Sequence, residues 1–154
     1  MSTPEQASAI YRRYLSAVLL HAQASARAVG LGATDLYALN ILALRGAMIP
    51  SELGRLAGLT TGPTTRLVDR LEEAGYVRRV PDPHDRRKVL VEPRREPAGL
   101  DRALDPARRS LADILAGYTP GQAAVLFDYF ERAADAYEHA AGQLGREATD
   151  TRSP

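Results

Sequence analysis

Residues 76–90 read YVRRVPDPHDRRKVL. Two short β-prone runs flank the knot PDPHDRR: Tyr76, Val77 and Val80 precede it, and Val89, Leu90 and Val91 follow. This pattern predicts two strands, over 76–80 and 88–92, joined by a turn. Arg86, Arg87 and Lys88 sit on that turn, just after Asp82 and Asp85. The plain reading is a solvated charged hairpin; the sharper one is a probe for an anionic groove. A two-stranded hairpin cannot form a sheet core by itself, so its meaning depends on what precedes it.

What precedes it is ELGRLAGLTTGPTTRLVDRL, residues 52–71, which fits the steric pattern of a helix-turn-helix. Leu53 is apolar, Gly54 is small where two helices must cross closely, and Ala57 is small and apolar. Gly58 can take the positive φ of a tight turn, while Leu59 and Leu67 plug the core. Thr64 departs from the pattern, standing where a β-branched apolar residue is usual, although its methyl group can still pack. Thr60 or Thr61 opens the second helix, and an inner stripe of Thr64, Leu67, Val68 and Leu71 leaves Gly62, Thr65, Arg66, Asp69 and Arg70 outward.

That outward face suits a DNA major groove. Gly62 lets the backbone approach closely, Thr61 and Thr65 can bond phosphate or touch a thymine methyl, and Arg66 and Arg70 can fork onto guanine or clamp phosphate. The candidate contacts of this helix are Thr60, Thr61, Gly62, Pro63, Thr65, Arg66 and Arg70. The bland alternative is a solvated face on which Arg66, Asp69, Arg70 and Glu73 trade i,i+3 and i,i+4 pairs. The hairpin decides between them. Directly after a recognition helix it becomes a wing, whose tip lies within reach of the adjacent minor groove, where arginine is attracted. Asp82 and Asp85 are expected to hold the turn and orient one arginine while the other reaches out. Asp82, His84, Asp85, Arg86 and Arg87 are the candidate wing residues.

The charge distribution agrees. The chain of 154 residues has a formal charge of only +1. Residues 78–95, however, hold seven bases (Arg78, Arg79, Arg86, Arg87, Lys88, Arg94, Arg95) against three acids (Asp82, Asp85, Glu92). A basic stripe on a nearly neutral molecule is a directed electrostatic footprint.

Around this centre the sequence is helical. Thr3-Pro4-Glu5-Gln6 is a helix start with a capping box, followed by Ile10, Tyr14, Leu15, Val18 and Leu19, and ending near Gly30 or Gly32. Thr34 or Asp35 caps a second helix that runs to Gly46, and Ser51 caps a short third one. After the hairpin a fifth helix is either kinked or restarted at Pro106. Thr119-Pro120-Gly121-Gln122 repeats the opening cap and launches a last helix through Val125, Leu126, Phe127, Tyr129, Phe130 and Tyr137. The fold class is mainly α: a winged helix-turn-helix with a two-stranded β-wing and a helical dimerisation region. The expected organisation is a DNA-binding domain over 34–96, helical dimerisation segments over 1–33 and 97–145, and a flexible tail over 146–154.

Several functions are disfavoured. The chain has no cysteine, which excludes disulfides, thiolate metal sites and thiol-based peroxide sensing. His21, His84 and His139 lie on separate elements without ligand spacing, so no metal or cofactor is expected. No catalytic motif is present and enzyme activity is not expected. No apolar stretch approaches the ~18 residues of a membrane span and the N-terminus lacks a secretory h-region, which makes a cytoplasmic protein the expectation.

The first and last helices are apolar over more than one face. Tyr11, Tyr14, Leu15 and Val18 in one, and Leu126, Tyr129 and Phe130 in the other, are candidate homodimer contacts. With these features in place, LTTGPTTRLVDRLEEAGYVRRVPDPHDRRKVLVE resembles the multiple-antibiotic-resistance-regulator (MarR) family of winged-helix transcription factors. The helix order over residues 4–144 matches as well. The resemblance implies a homodimer whose first and last two helices intertwine, holding two winged helices on a pseudo-palindromic operator in double-stranded DNA. It further implies that Arg86 or Arg87 enters the minor groove, that Thr61, Gly62, Thr65 and Arg66 face bases or backbone, and that regulation is repressive. It also implies a small-molecule effector pocket, whose walls here would include His21, Tyr37, Asn40, Ile41 and Tyr76. In two places the chain departs from the family pattern: EPRREPAG follows the wing, and Pro106 falls in the fifth helix. The competing reading is a winged helix used for protein–protein contact.

Overall fold

The computed structural model describes residues 3–94 and 98–150. Six helices and one hairpin follow in the order α1 (Pro4–Ala28), α2 (Ala33–Arg45), α3 (Pro50–Leu56), α4 (Thr61–Glu73), β1 (Val77–Pro81), β2 (Val89–Pro93), α5 (Ala98–Ala116) and α6 (Pro120–Asp150). This is the expected mainly helical fold with a β-wing. The chain divides into two units, Met1–Pro106 and Ala107–Pro154.

The first unit has one apolar core. α2 supplies Leu36, Ala38, Ile41 and Leu42, α3 supplies Leu53, and α4 supplies Leu67, Val68 and Leu71. Val77 and Val91 close it from the hairpin and Leu100 from the start of α5. The i, i+3, i+4 spacing of these residues puts each set on one helical face. From α1 only the C-terminal part joins, through Ala22 and Ala26, followed by Val29 just after the helix.

Helix starts are where the structure revises the sequence expectations. The capping box at Thr3 and Gln6 forms as read, with each side chain bonding the other residue's backbone N–H. α2, however, begins at Ala33 with Gly32 as N-cap, not at Thr34 or Asp35. Asp35 caps from inside the helix, its Oδ2 accepting the Gly32 N–H at 2.9 Å. Ser51 is not an N-cap either: the N-cap is Ile49, two residues earlier, and α3 starts at Pro50, whose missing N–H costs nothing in a first turn.

The strands pair antiparallel with Arg78 opposite Glu92 and Arg79 opposite Val91, each starting one residue later than expected. Met48 adds an isolated bridge to Val91, with backbone bonds of 3.2 and 2.7 Å, and so ties the approach to α3 onto the wing. Of the two expectations at Pro106, kink or restart, the restart does not occur: α5 runs through that proline as one helix. In the second unit Thr119 and Gln122 form another capping box. α6 extends to Asp150, into the segment expected as tail, while Thr151–Pro154 and Arg95–Pro97 lie outside the described residues.

Candidate nucleic-acid interface

The α3–α4 pair is set by one close approach. A Cβ placed on Gly54 would meet Thr64 Oγ1 at 2.1 Å and its Cγ2 and Cβ at 3.0 and 3.1 Å. Thr64 is buried, and its hydroxyl donates back to Thr60 O at 2.8 Å. The hydroxyl that departs from the apolar pattern is thereby satisfied inside α4 itself. Gly58 supplies the turn between the helices at φ +69°.

With Thr64, Leu67, Val68 and Leu71 buried, α4 leaves Thr60, Thr61, Gly62, Thr65, Arg66, Asp69 and Arg70 exposed, and Pro63 half-buried. The intrahelical exchange of charges that the bland reading required does not form. Asp69 pairs outward with Arg79 at 2.6 Å, and Arg70 pairs with Asp35 of α2 at 2.6 Å. Thr65 donates to Thr61 O at 3.1 Å, while the Arg66 guanidinium has no partner among the described residues.

The wing sorts its bases in the same way. Val77 and Arg79 share one face of β1, opposite Val91 and Pro93, so Arg79 faces the body and not solvent. There its guanidinium bonds Glu72 and Asp69 of α4, and its backbone N–H donates to Glu72 Oε1 at 2.9 Å. Arg78 points the other way and pairs across the strands with Glu92 at 2.6 Å. Lys88 approaches Asp85 at 3.8 Å. Of the basic stripe read from composition, Arg86 and Arg87 at the tip and Arg94 just after β2 carry guanidinium groups with no partner among the described residues. Arg95 lies outside those residues.

Asp82 and Asp85 hold the turn, but through backbone and not through an arginine. Asp82 Oδ1 accepts the N–H groups of His84 at 2.8 Å and Asp85 at 3.3 Å, and Asp85 Oδ1 accepts Arg87 N–H at 3.1 Å. The His84 N–H is the main cause that holds the Asp82 carboxyl below its ordinary pKa, with the Asp85 N–H adding to it.

The Arg79 lock between β1 and α4 is a structural feature that sequence reading missed, although period-two alternation from Val77 carries its signal. The Arg79 N–H, then its guanidinium, hold Glu72 below the ordinary carboxyl value. Partial burial works against the Arg79 charge, but its bonds to Asp69 and Glu72 outweigh this and raise its pKa. Because Glu72 is depressed when folded, its contribution is fully present above the ordinary value of 4.5 and is lost as pH falls through the lowered one. Glu72→Gln is expected to flatten the decline of the thermal midpoint as pH falls below the ordinary carboxyl value of 4.5. An unchanged acid limb in that variant would show that Glu72 contributes nothing to it.

The sequence and the fold are similar to those of known proteins. A sequence model of the MarR family matches residues 29–88, which span α2 to the wing tip. YcgE of Bacillus subtilis (strain 168), an uncharacterized HTH-type transcriptional regulator, is 39% identical over 130 residues, covering 84% of each chain. The chain belongs to the MarR family. It is a MarR-family DNA-binding transcriptional regulator. In fold it is similar to a Thermotoga maritima transcriptional regulator, with a TM-score of 0.61 at 24% identity over 88% of this chain and 96% of that one. A Mycobacterium tuberculosis protein gives 0.59 at 26% identity, over 92% and 99%.

The other residues expected in this MarR protein are only partly brought together. A cleft of about 350 Å³ between α1 and the start of α2 is lined by Leu19, Ala22, Leu36, Tyr37 and Asn40 among others. Ile41 and Tyr76 belong to the core instead, and His21 turns along α1 to Ser25 at 3.5 Å. Of the expected dimer contacts, Tyr14 and Val18 in α1 and Tyr129 and Phe130 in α6 are exposed, while Tyr11, Leu15 and Leu126 are half-buried. Among the described residues no group of three or more metal-binding side chains occurs, and no helix is long and apolar enough to cross a membrane.

Proposed function

We propose that this MarR-family protein is a repressor that binds a pseudo-palindromic operator as a homodimer. The observation that carries the proposal is the sorting of charge. Of the bases near the wing, Arg78, Arg79 and Lys88 are each paired, whereas Arg66 on the recognition helix, Arg86 and Arg87 on the wing tip and Arg94 just after β2 are left unpartnered among the described residues. Unpaired guanidinium groups on two neighbouring elements suit a major groove and the minor groove beside it. In this reading Thr61, Gly62, Thr65 and Arg66 meet bases or backbone, and Arg86 or Arg87 enters the minor groove. Thr60, Pro63, Asp82, His84 and Asp85 shape those two elements.

Homodimerisation is supported by the apolar surface each unit leaves uncovered. Ile10 and Leu19 of α1 are 62% and 63% exposed, and Val125 of α6 is 71% exposed. Faces of this kind call for a covering partner, and a two-fold dimer would set recognition helices ~34 Å apart. The cleft lined by Tyr37 and Asn40 suits a small, largely apolar effector, whose binding would release DNA by favouring a dimer with the wrong spacing.

Fluorescence anisotropy of the purified protein on pooled genomic duplex fragments, across a salt series, tests the proposal. Selective binding that weakens steeply with salt is expected. Arg66→Ala should then weaken the selected duplex by about 1–3 kcal/mol and relax its sequence preference. Weak, unselective binding at every salt concentration would turn the assignment toward a protein partner for the same basic surface.

A further inference from the structure

Between the start of α2 and the outward face of α4 lies a groove of about 250 Å³, lined by Thr34, Leu59, Pro63, Arg66, Leu67 and Arg70. Its polar wall is one hydroxyl and two guanidinium groups. Arg66 and Arg70 stand one helical turn apart, on the same face. They differ in one respect: Arg66 has no partner among the described residues, while Arg70 is gripped from below by Asp35.

Asp35 is an unusual carboxylate. Its side chain is 5% exposed, and both oxygens are engaged, Oδ2 by the Gly32 N–H at 2.9 Å and Oδ1 by Arg70 Nη2 at 2.6 Å. The Arg70 side chain is 55% exposed. A pair with so open a cation adds little to stability, because solvent screens it. It does fix where the guanidinium sits. Arg70 has five N–H donors and one bonds Asp35, which leaves the others for the groove.

We propose that Arg70, held in place by Asp35, seats a phosphate of the DNA backbone in this groove, and that Asp35 is the positioning residue of that contact. The inference rests on the DNA-binding reading above and assigns Arg70 to the sugar–phosphate backbone, leaving base readout to the start of α4 and Arg66. Recognition-helix base contacts come chiefly from N-terminal residues. Arg70 lies in the second half of α4 and is drawn toward α2. A guanidinium already ordered by a buried carboxylate loses less freedom when it meets a phosphate. Thr34, on the α2 wall of the groove, is placed to offer its hydroxyl to the same anion.

The contact makes a prediction that base reading and simple structural bracing do not share. Phosphate contacts are blind to sequence, and each contributes about 0.9 to the slope of log K against log salt. Binding is measured on a duplex of about 25 base pairs recovered from the genomic pool and on an unrelated duplex of equal length. Arg70→Gln keeps a donor for Asp35 and removes the charge. It is expected to lower the salt slope by about 0.9 and to weaken both duplexes by the same factor, about tenfold. Asp35→Asn keeps an acceptor for the Gly32 N–H. It should weaken both duplexes several-fold at unchanged slope, since the cation remains but is no longer held.

A neutral methylphosphonate scanned along the recovered duplex supplies a readout that needs no second variant. One backbone position should weaken the wild type and leave Arg70→Gln unaffected. A wild-type slope in Arg70→Gln, or a loss confined to the recovered duplex, overturns the assignment even while Arg86→Ala with Arg87→Ala still weakens selective binding. Absence of salt-dependent DNA binding in the wild type would instead overturn the DNA reading on which it rests.

Discussion

Gly54→Ala is expected to destabilise the protein by about 3 kcal/mol, the upper end of what overpacking costs. The added Cβ would lie 2.1 Å from Thr64 Oγ1, and turning that hydroxyl away does not solve the problem, because Thr64 Cγ2 and Cβ stand at 3.0 and 3.1 Å. Thr64 is buried and bonded to Thr60 O, so it has nowhere to go without breaking that bond. The strain must be relieved by moving α4 off α3, which also displaces the groove-facing residues. Urea unfolding at a fixed protein concentration measures the effect as a shifted midpoint at constant slope. Thr64→Ala removes Oγ1 and Cγ2, so the double variant should recover much of the loss, with a coupling above about 1 kcal/mol. A Gly54→Ala midpoint within about 0.5 kcal/mol of wild type, the range of an innocuous surface change, would mean the crossing is not tight.

That crossing was legible in the sequence because it depends on residue size. Gly54, Ala57 and Gly58 are small or conformationally free at fixed offsets, and the apolar period of α4 fixes which face turns inward. The two capping boxes were legible for the same reason, being local chemistry over four residues. The partners of charged side chains were a different matter. Asp35 and Arg70 are far apart in the chain, and Arg79 finds Asp69 and Glu72 only once the hairpin folds back on α4. Composition counted seven bases near the wing as one stripe; pairing neutralises Arg78, Arg79 and Lys88 and leaves Arg86 and Arg87 at the tip and Arg94 after β2 unpaired among the described residues. Strand alternation carried part of this, since Arg79 shares the face of buried Val77. Two of the residues expected around the pocket, Ile41 and Tyr76, are buried in the core, where an apolar or aromatic side chain near a helix junction packs by default.

Replacing Arg86 and Arg87 together by alanine is expected to weaken selective DNA binding by about 2–5 kcal/mol and to lower its salt slope by up to about 2. Two features make this the largest functional effect. Both guanidinium groups are unpartnered among the described residues, so neither is spent on holding the fold. The turn that presents them is held by other atoms: Asp82 by the N–H groups of His84 and Asp85, and Asp85 by the N–H of Arg87, which alanine retains. The double variant should therefore keep the wild-type thermal midpoint to within what a surface substitution produces, about 0.5 kcal/mol. Asp82→Ala gives the contrast. It keeps both arginines but frees two backbone N–H groups, and it is expected to weaken binding by loosening the tip, with the salt slope preserved. Separating Arg86→Ala from Arg87→Ala then identifies the groove-entering residue, since insertion into a narrow minor groove exceeds a phosphate contact in effect and depends on A·T content. Retention of wild-type affinity and slope by the double variant would remove the wing from the DNA interface and leave α4 to act alone.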